Sequence, residues 1–212
     1  MISKSLAACG LALLMAGCGG SGGELGPRAS APVAAAPADW RNVATTADRD
    51  RLRRWRDAWM QALPAARKGN AAEIDEQGAL FDPDRALPGA MPPPGAYRCR
   101  VFKLGAAGPA MLDYVAYPFF DCRIDAEGDV LSLYKQTGSQ RPVGLLFADT
   151  DARAVFLGTL VLGDERAPLE YGQDGNRDMA GFVERVGDRR WRLVLPWPRF
   201  ESKLDIIELV PA

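Results

Sequence analysis

From Tyr97 to the C-terminus the chain repeats one pattern: short runs rich in Val, Ile, Leu, Phe and Tyr, separated by turn signals or polar connections without helical periodicity. The runs lie at 97–104, 117–124, 129–134, 143–147, 154–162, 180–186, 191–195 and 204–210. Asp125-Ala126-Glu127-Gly128, Asp149-Thr150-Asp151 and Gly187-Asp188 supply turns, the last in a hairpin. Strands joined this way pair antiparallel, because parallel neighbours need a crossover, usually a helix. A long meander exposes two edges unless it closes. The expected fold is therefore mainly β, an antiparallel meander closing into a barrel-like (lipocalin-like) domain, with a two-sheet sandwich as the alternative.

Ahead of the strands the spacing turns helical. Leu52, Trp55, Trp59 and Leu63 recur at intervals of three and four and make one apolar stripe, with Thr46 as N-cap and Asp48 and Asp50 near the positive end of the dipole. This predicts a helix that caps or flanks the barrel and buries the stripe. Pro64 should end or kink it, and a weaker second helix over 65–81 should break near Gly69-Asn70. Gly78, Pro83 and Pro88 then end helical structure, and Pro92-Pro93-Pro94-Gly95 forms a rigid extended entry to the strands. Arg49, Arg51, Arg53, Arg54 and Arg56 crowd the first helix. They could lie on an anionic surface, but Asp48, Asp50 and Asp57 beside them favour a solvated, self-paired face.

The N-terminus reads as an address. Lys4 precedes an apolar run from Leu6 through Ala16 that is too short to span a bilayer as a mature helix, as in a signal peptide. Its end, Leu14-Met15-Ala16-Gly17-Cys18, resembles the lipobox of bacterial lipoproteins, whose cysteine is acylated and becomes the new N-terminus. Leu6-Ala7-Ala8-Cys9 fits the letters better but leaves almost no apolar segment ahead of it, so Cys18 is the expected lipidation site, carrying palmitate-type chains. Several acyl chains anchor stably where one does not. Gly19 stands where Asp usually marks inner-membrane retention, which favours the periplasmic face of the outer membrane. The expected organisation is a signal peptide over 1–17, a Gly, Ala, Pro and Ser tether over 18–38, and one domain over 39–212, helical to 95 and antiparallel β from 96.

Histidine is absent, which removes the usual neutral-pH general base, the Ser-His and Cys-His pairs and the commonest metal ligand. The formal net charge of -1 gives no field that would collect nucleic acid. With Cys9 in the leader and Cys18 under lipid, Cys99 and Cys122 remain, on neighbouring strands in an oxidising compartment. They are expected to pair as a structural disulfide worth roughly 3 kcal/mol. A redox or metal-binding pair would want a CxxC spacing or a histidine.

Three fragments resemble chemistry. Ser132-Leu133-Tyr134-Lys135 has the SxxK spacing, followed by Lys135-Gln136-Thr137-Gly138, but that pairing works on a helix, whereas on a strand residues three apart face opposite ways. Asp174, Asn176 and Asp178, with Asp164 and Glu170, alternate like calcium ligands, yet Met179 and Arg185 stand where an EF-hand needs Gly and Glu. Paired carboxylates for glycoside hydrolysis cannot be selected by spacing. The better recognition segment is the connection Gln136-Thr137-Gly138-Ser139-Gln140-Arg141-Pro142, whose Thr137, Ser139, Gln140 and Arg141 offer hydroxyl, amide and guanidinium groups on a rigid scaffold. Trp197-Pro198-Arg199-Phe200-Glu201-Ser202-Lys203 is a second, whose aromatics are expected to close one end of the core.

Asp39-Trp40-Arg41, Pro94-Gly95-Ala96-Tyr97-Arg98-Cys99-Arg100, Thr137-Gly138-Ser139-Gln140-Arg141-Pro142, Val155-Phe156-Leu157-Gly158 and Glu201-Ser202-Lys203-Leu204-Asp205 together resemble a family of alphaproteobacterial lipoproteins known only as a domain of unknown function. The resemblance implies one domain and an envelope location, and brings no activity, cofactor or catalytic residue. The expected protein is a non-enzymatic envelope lipoprotein without cofactor or metal. It is held to the membrane by its lipid and binds a small ligand, a glycan or a protein partner. The alternative is a histidine-free hydrolase or lyase acting on cell-wall or surface polysaccharide through carboxylates or Lys135.

Overall fold

The computed structural model describes residues 38–212. The leader, Cys18 and most of the tether lie outside the described residues. Eight strands follow one another: β1 (Gly95–Ala106), β2 (Tyr114–Glu127), β3 (Val130–Lys135), β4 (Gln140–Thr150), β5 (Arg153–Leu162), β6 (Asp178–Gly187), β7 (Arg190–Pro196) and β8 (Ser202–Pro211). Each pairs antiparallel with the next, and β8 returns to β1, so the meander closes into a barrel and no edge remains. The expected barrel, rather than the sandwich, is the fold. All eight expected strands form, several of them longer than expected. β4 begins at Gln140, so Gln140, Arg141 and Pro142 belong to the strand and the connection before it shrinks to 136–139. Pro142 pairs opposite Leu160 within the ladder.

Inward positions pack into one cluster. Tyr97, Cys99, Cys122, Leu133, Phe156 and Leu193, from five strands and both sides of the β1–β8 seam, meet there. Phe156 fills the barrel by lying over Gly144 and Gly158, which face each other across β4 and β5; a Cβ on either would strike the opposite backbone. Cys99 and Cys122 are joined by a disulfide between β1 and β2, with Cα atoms 5.8 Å apart and both side chains buried. One end of the barrel is sealed by the segment before β1. Trp191 Nε1 donates to the Gly89 carbonyl, Tyr97 Oη donates to the Pro93 carbonyl, and Ala90 joins the interior cluster.

The helices flank the barrel. Helix α1 (Trp40–Val43), α2 (Thr46–Arg53) and α3 (Trp55–Glu76) precede a 3₁₀ turn at Gly78–Phe81. The N-cap is Thr45, whose hydroxyl accepts from the Asp48 amide, and not Thr46, which is the first helical residue. Thr45 holds the extended backbone a cap requires. The single expected helix is broken at Arg54, where the backbone leaves helical geometry, while Pro64 neither ends nor breaks α3. Pro64 is exposed, and on a helix's outer side water can take the freed carbonyl. The irregular residue in α3 is Asn70, at the break expected from Gly69-Asn70.

Of the apolar stripe, Leu52 and Trp59 are buried, while Trp55 and Leu63 are half-buried. Ala58, Ala62 and Ala66 let α3 approach the outward side chains Phe102, Leu104, Leu204 and Ile206. Leu52 and Trp55 cover Val155, Leu157, Ala180 and Phe182. Strands β5 to β8 are therefore buried on both faces, which is why they read as nearly continuous apolar runs. The helical arginines find acids as expected for a self-paired face: Arg51 with Asp48, and Arg53 and Arg54 with Asp50. Arg56 pairs with Asp84 rather than Asp57.

Candidate ligand site at the open end of the barrel

The end opposite the seal is open. The β1–β8 register places Cys99 opposite Leu209, Val101 opposite Ile207 and Lys103 opposite Asp205, so an inward row changes from apolar to charged as it nears the mouth. A cavity of about 180 Å³ lies there. Its walls are apolar at Val101, Phe120, Leu160, Met179 and Ile207, and its lining also carries five cationic side chains against three acidic ones.

Lys103 is buried, with its Nζ 3.1 Å from both Glu201 and Asp205. Burial alone would pull this amine down, but the two carboxylates outweigh it and hold it above the ordinary lysine value. Burial holds the Asp205 carboxyl above its ordinary value, against the opposing pull of Lys103 and of Ser202 Oγ, which donates to its other oxygen. Lys103 thus takes one oxygen of Asp205 and the Ser202 hydroxyl the other. Burial likewise pushes the Asp178 carboxyl up, while the Gly172 amide donates to it.

Lys135 ends β3 and turns inward. Its Nζ donates to the carbonyls of Thr137 at 2.6 Å and Gln140 at 3.0 Å and stands 3.6 Å from the centre of the Phe120 ring. Burial, then the nearby charges of Arg141 and Lys103, depress it to about 8. Gly138, at φ +90°, leaves room for that amine, which a side chain there would strike.

The β7–β8 connection overhangs the mouth with Pro198, Arg199, Phe200 and Glu201. Trp197 and Glu201, at its two ends, hold positive φ of 51° and 69°. Such conformations are costly outside glycine and persist only when the surroundings over-determine them. Here Trp197 Nε1 donates to the Arg54 carbonyl at the helix break, and Glu201 is held by Lys103 and by the Gln140 amide.

A family model described as a domain of unknown function, DUF4893, matches residues 40–209. The chain belongs to that family. No curated protein and no solved structure matches the sequence. The DUF4893 match begins at α1 and ends in β8, so the family domain is the helical flank and the whole barrel together.

Within this DUF4893 barrel the expected recognition residues divide. Ser139 and Gln140 line the cavity. Thr137 and Arg141 do not: Thr137 Oγ1 accepts from the Asp121 amide, and Arg141 ties the β3–β4 connection to the β5–β6 connection through the carbonyls of Gly138, Gly163 and Glu165. Ser132 faces away from Lys135 and donates to Glu127, so the SxxK spacing assembles nothing. Asp174 caps the Asn176 amide, Arg177 is bound by Glu165, and among the described residues no three acidic side chains gather in metal-binding geometry. Of the second segment, Phe200 lines the mouth, while Trp197 packs outward against the helices. Sequence reasoning missed Lys103, Glu201 and Asp205 as one cluster. Its signal was a lone charge inside two apolar runs, Val101-Phe102-Lys103-Leu104 and Leu204-Asp205-Ile206-Ile207, at positions that share a barrel face.

Proposed function

We propose that this protein is a non-enzymatic envelope lipoprotein whose barrel is a binding module, taking a small, partly apolar ligand through its open end. One observation carries the reading: the barrel is sealed and packed at one end and keeps an apolar-walled cavity of about 180 Å³ at the other. Engineered apolar cavities of about 150 Å³ take a benzene-sized guest, so this space suits one ring or a short acyl segment rather than a whole lipid. Acidic groups do line the mouth, as the alternative hydrolase would need. However, Glu201 and Asp205 share Lys103 between them, and Asp205 also holds Ser202, which leaves Asp178 as the remaining acid of the cavity lining.

The lipobox-like end of the leader supports anchoring through Cys18, and Gly19 after it supports the periplasmic face of an alphaproteobacterial outer membrane. Cys18→Ser should release the protein from membranes and abolish acyl labelling; unchanged fractionation and labelling would contradict the anchor. The binding reading is tested by methyl-detected NMR of the full-length protein titrated with benzyl alcohol and with benzoate. The expected result is shifts confined to the methyls of Val101, Leu160, Met179 and Ile207 for at least one probe. No shift with either, or shifts only at exposed Met111, Leu112 and Leu169, would overturn it.

A further inference from the structure

The cations of the mouth are not equivalent. Lys103 is held by two carboxylates, Arg177 by Glu165 through two bonds, and Arg51 by Asp48. Lys135 and Arg199 line the same cavity, and among the described residues neither has a carboxylate partner. An ammonium has three hydrogens. Two of those on Lys135 go to carbonyls, and the third has no oxygen acceptor among the described residues and lies beside the Phe120 ring. A buried cation without a counter-ion is a standing cost that an incoming anion relieves. Ser139 adds a hydroxyl to the same lining, and the wall behind is apolar.

Resting on the binding reading above, we infer that the ligand is an amphipathic monoanion: a carboxylate on a body the size of one ring or a short acyl chain. Its head meets Lys135 and Ser139, with Arg199 at the rim, and its body lies against Val101, Leu160, Met179 and Ile207. The depressed value of Lys135 agrees, since an anion beside the amine returns it toward the ordinary lysine range. Arg199 reaches the site on the overhanging connection whose ends, Trp197 and Glu201, hold the strained backbone. The contacts that hold that strain in place, Trp197 to the Arg54 carbonyl and Glu201 to Lys103 and Gln140, fix the arm carrying the second unpaired cation.

The test is calorimetric titration of the full-length protein with octanoate, 1-octanol and octylamine, which share a tail and differ in the charge of the head. Octanoate should bind about tenfold or more tightly than octanol, the factor expected of one charge-assisted hydrogen bond, and octylamine weakest of all. Lys135→Met should bring octanoate down to the level of octanol while leaving octanol unchanged. Arg199→Ala, on an exposed connection where folding is not at risk, should weaken octanoate severalfold by the same logic. Octanol or octylamine binding as well as octanoate would overturn the anionic class and leave the binding module standing. No binding of any of the three at millimolar concentration would overturn both.

Discussion

Lys103 and Asp205 face each other across the seam where β1 meets β8, their charged atoms 3.1 Å apart and both side chains buried. The strand pair that closes the barrel thus places an ion pair at the floor of its mouth. Removing one partner of such a pair strands a buried charge, at a cost of about 3–5 kcal/mol. Lys103→Met, which leaves Asp205 without its cation while Asp205→Asn would leave Lys103 with Glu201, should therefore destabilise the protein by up to that amount in denaturant unfolding, and Lys103→Met with Asp205→Leu together should recover part of the loss. A loss below about 1 kcal/mol for the single variant would show the pair to be solvent-screened.

Lys135 makes stability depend on pH in a defined direction. Its folded value of about 8 lies below the ordinary 10.5, so between them the unfolded chain holds the extra proton. Stability must then rise as pH climbs through that window, by up to about 3 kcal/mol, and the cost is fully present below pH 8. Tyr97, pushed up to about 12 by burial, works the other way, because the unfolded chain loses that proton first above pH 10. Urea unfolding at pH 7.5 and 9.5 separates the two. The wild type should gain stability over this interval relative to Lys135→Met, and parallel pH profiles would remove the buried-cation account.

Trp59 is 1 % exposed between α3 and the barrel, while Trp55, only half-buried, stacks edge-on to Phe182 beneath Arg153. Trp59→Ala should cost about 3–5 kcal/mol, as large-to-small core changes do, and Trp55→Ala distinctly less. Equal costs, measured by chemical denaturation, would place the helices differently on the wall.

The bridge between Cys99 and Cys122 closes a loop with a sequence separation of 23. A loop of that size predicts a loss of about 3 kcal/mol on reduction or in Cys99→Ala with Cys122→Ala. Peptide mapping without reductant should recover the two cysteines joined, and free thiols at both would contradict it.

The barrel was legible because each strand announces itself locally, by β-rich composition between turn residues, and because a long meander must hide its edges. The helix boundaries were less so. Thr45 and Thr46 are equivalent on paper, and the break at Arg54 follows from fitting Leu52 and Trp59 onto different outer patches of the barrel. Of the site, Ser139 and Gln140 could be reached from the chemistry of a connection, since hydroxyl and amide groups there are rarely core. Lys103, Glu201 and Asp205 could not be joined, because their meeting depends on a register between the first strand and the last. Arg141 carried the right chemistry, but three carbonyls claim its guanidinium.

The central claim is that ligand enters the open end of the barrel, and the most direct test is to fill that end. Val101→Trp puts an indole into the cavity from β1, opposite Ile207. Titrated with octanoate, the wild type should saturate at one equivalent, and Val101→Trp should show no saturable binding while unfolding within a few degrees of the wild type. Undiminished one-to-one binding by Val101→Trp would place the ligand elsewhere and contradict the account.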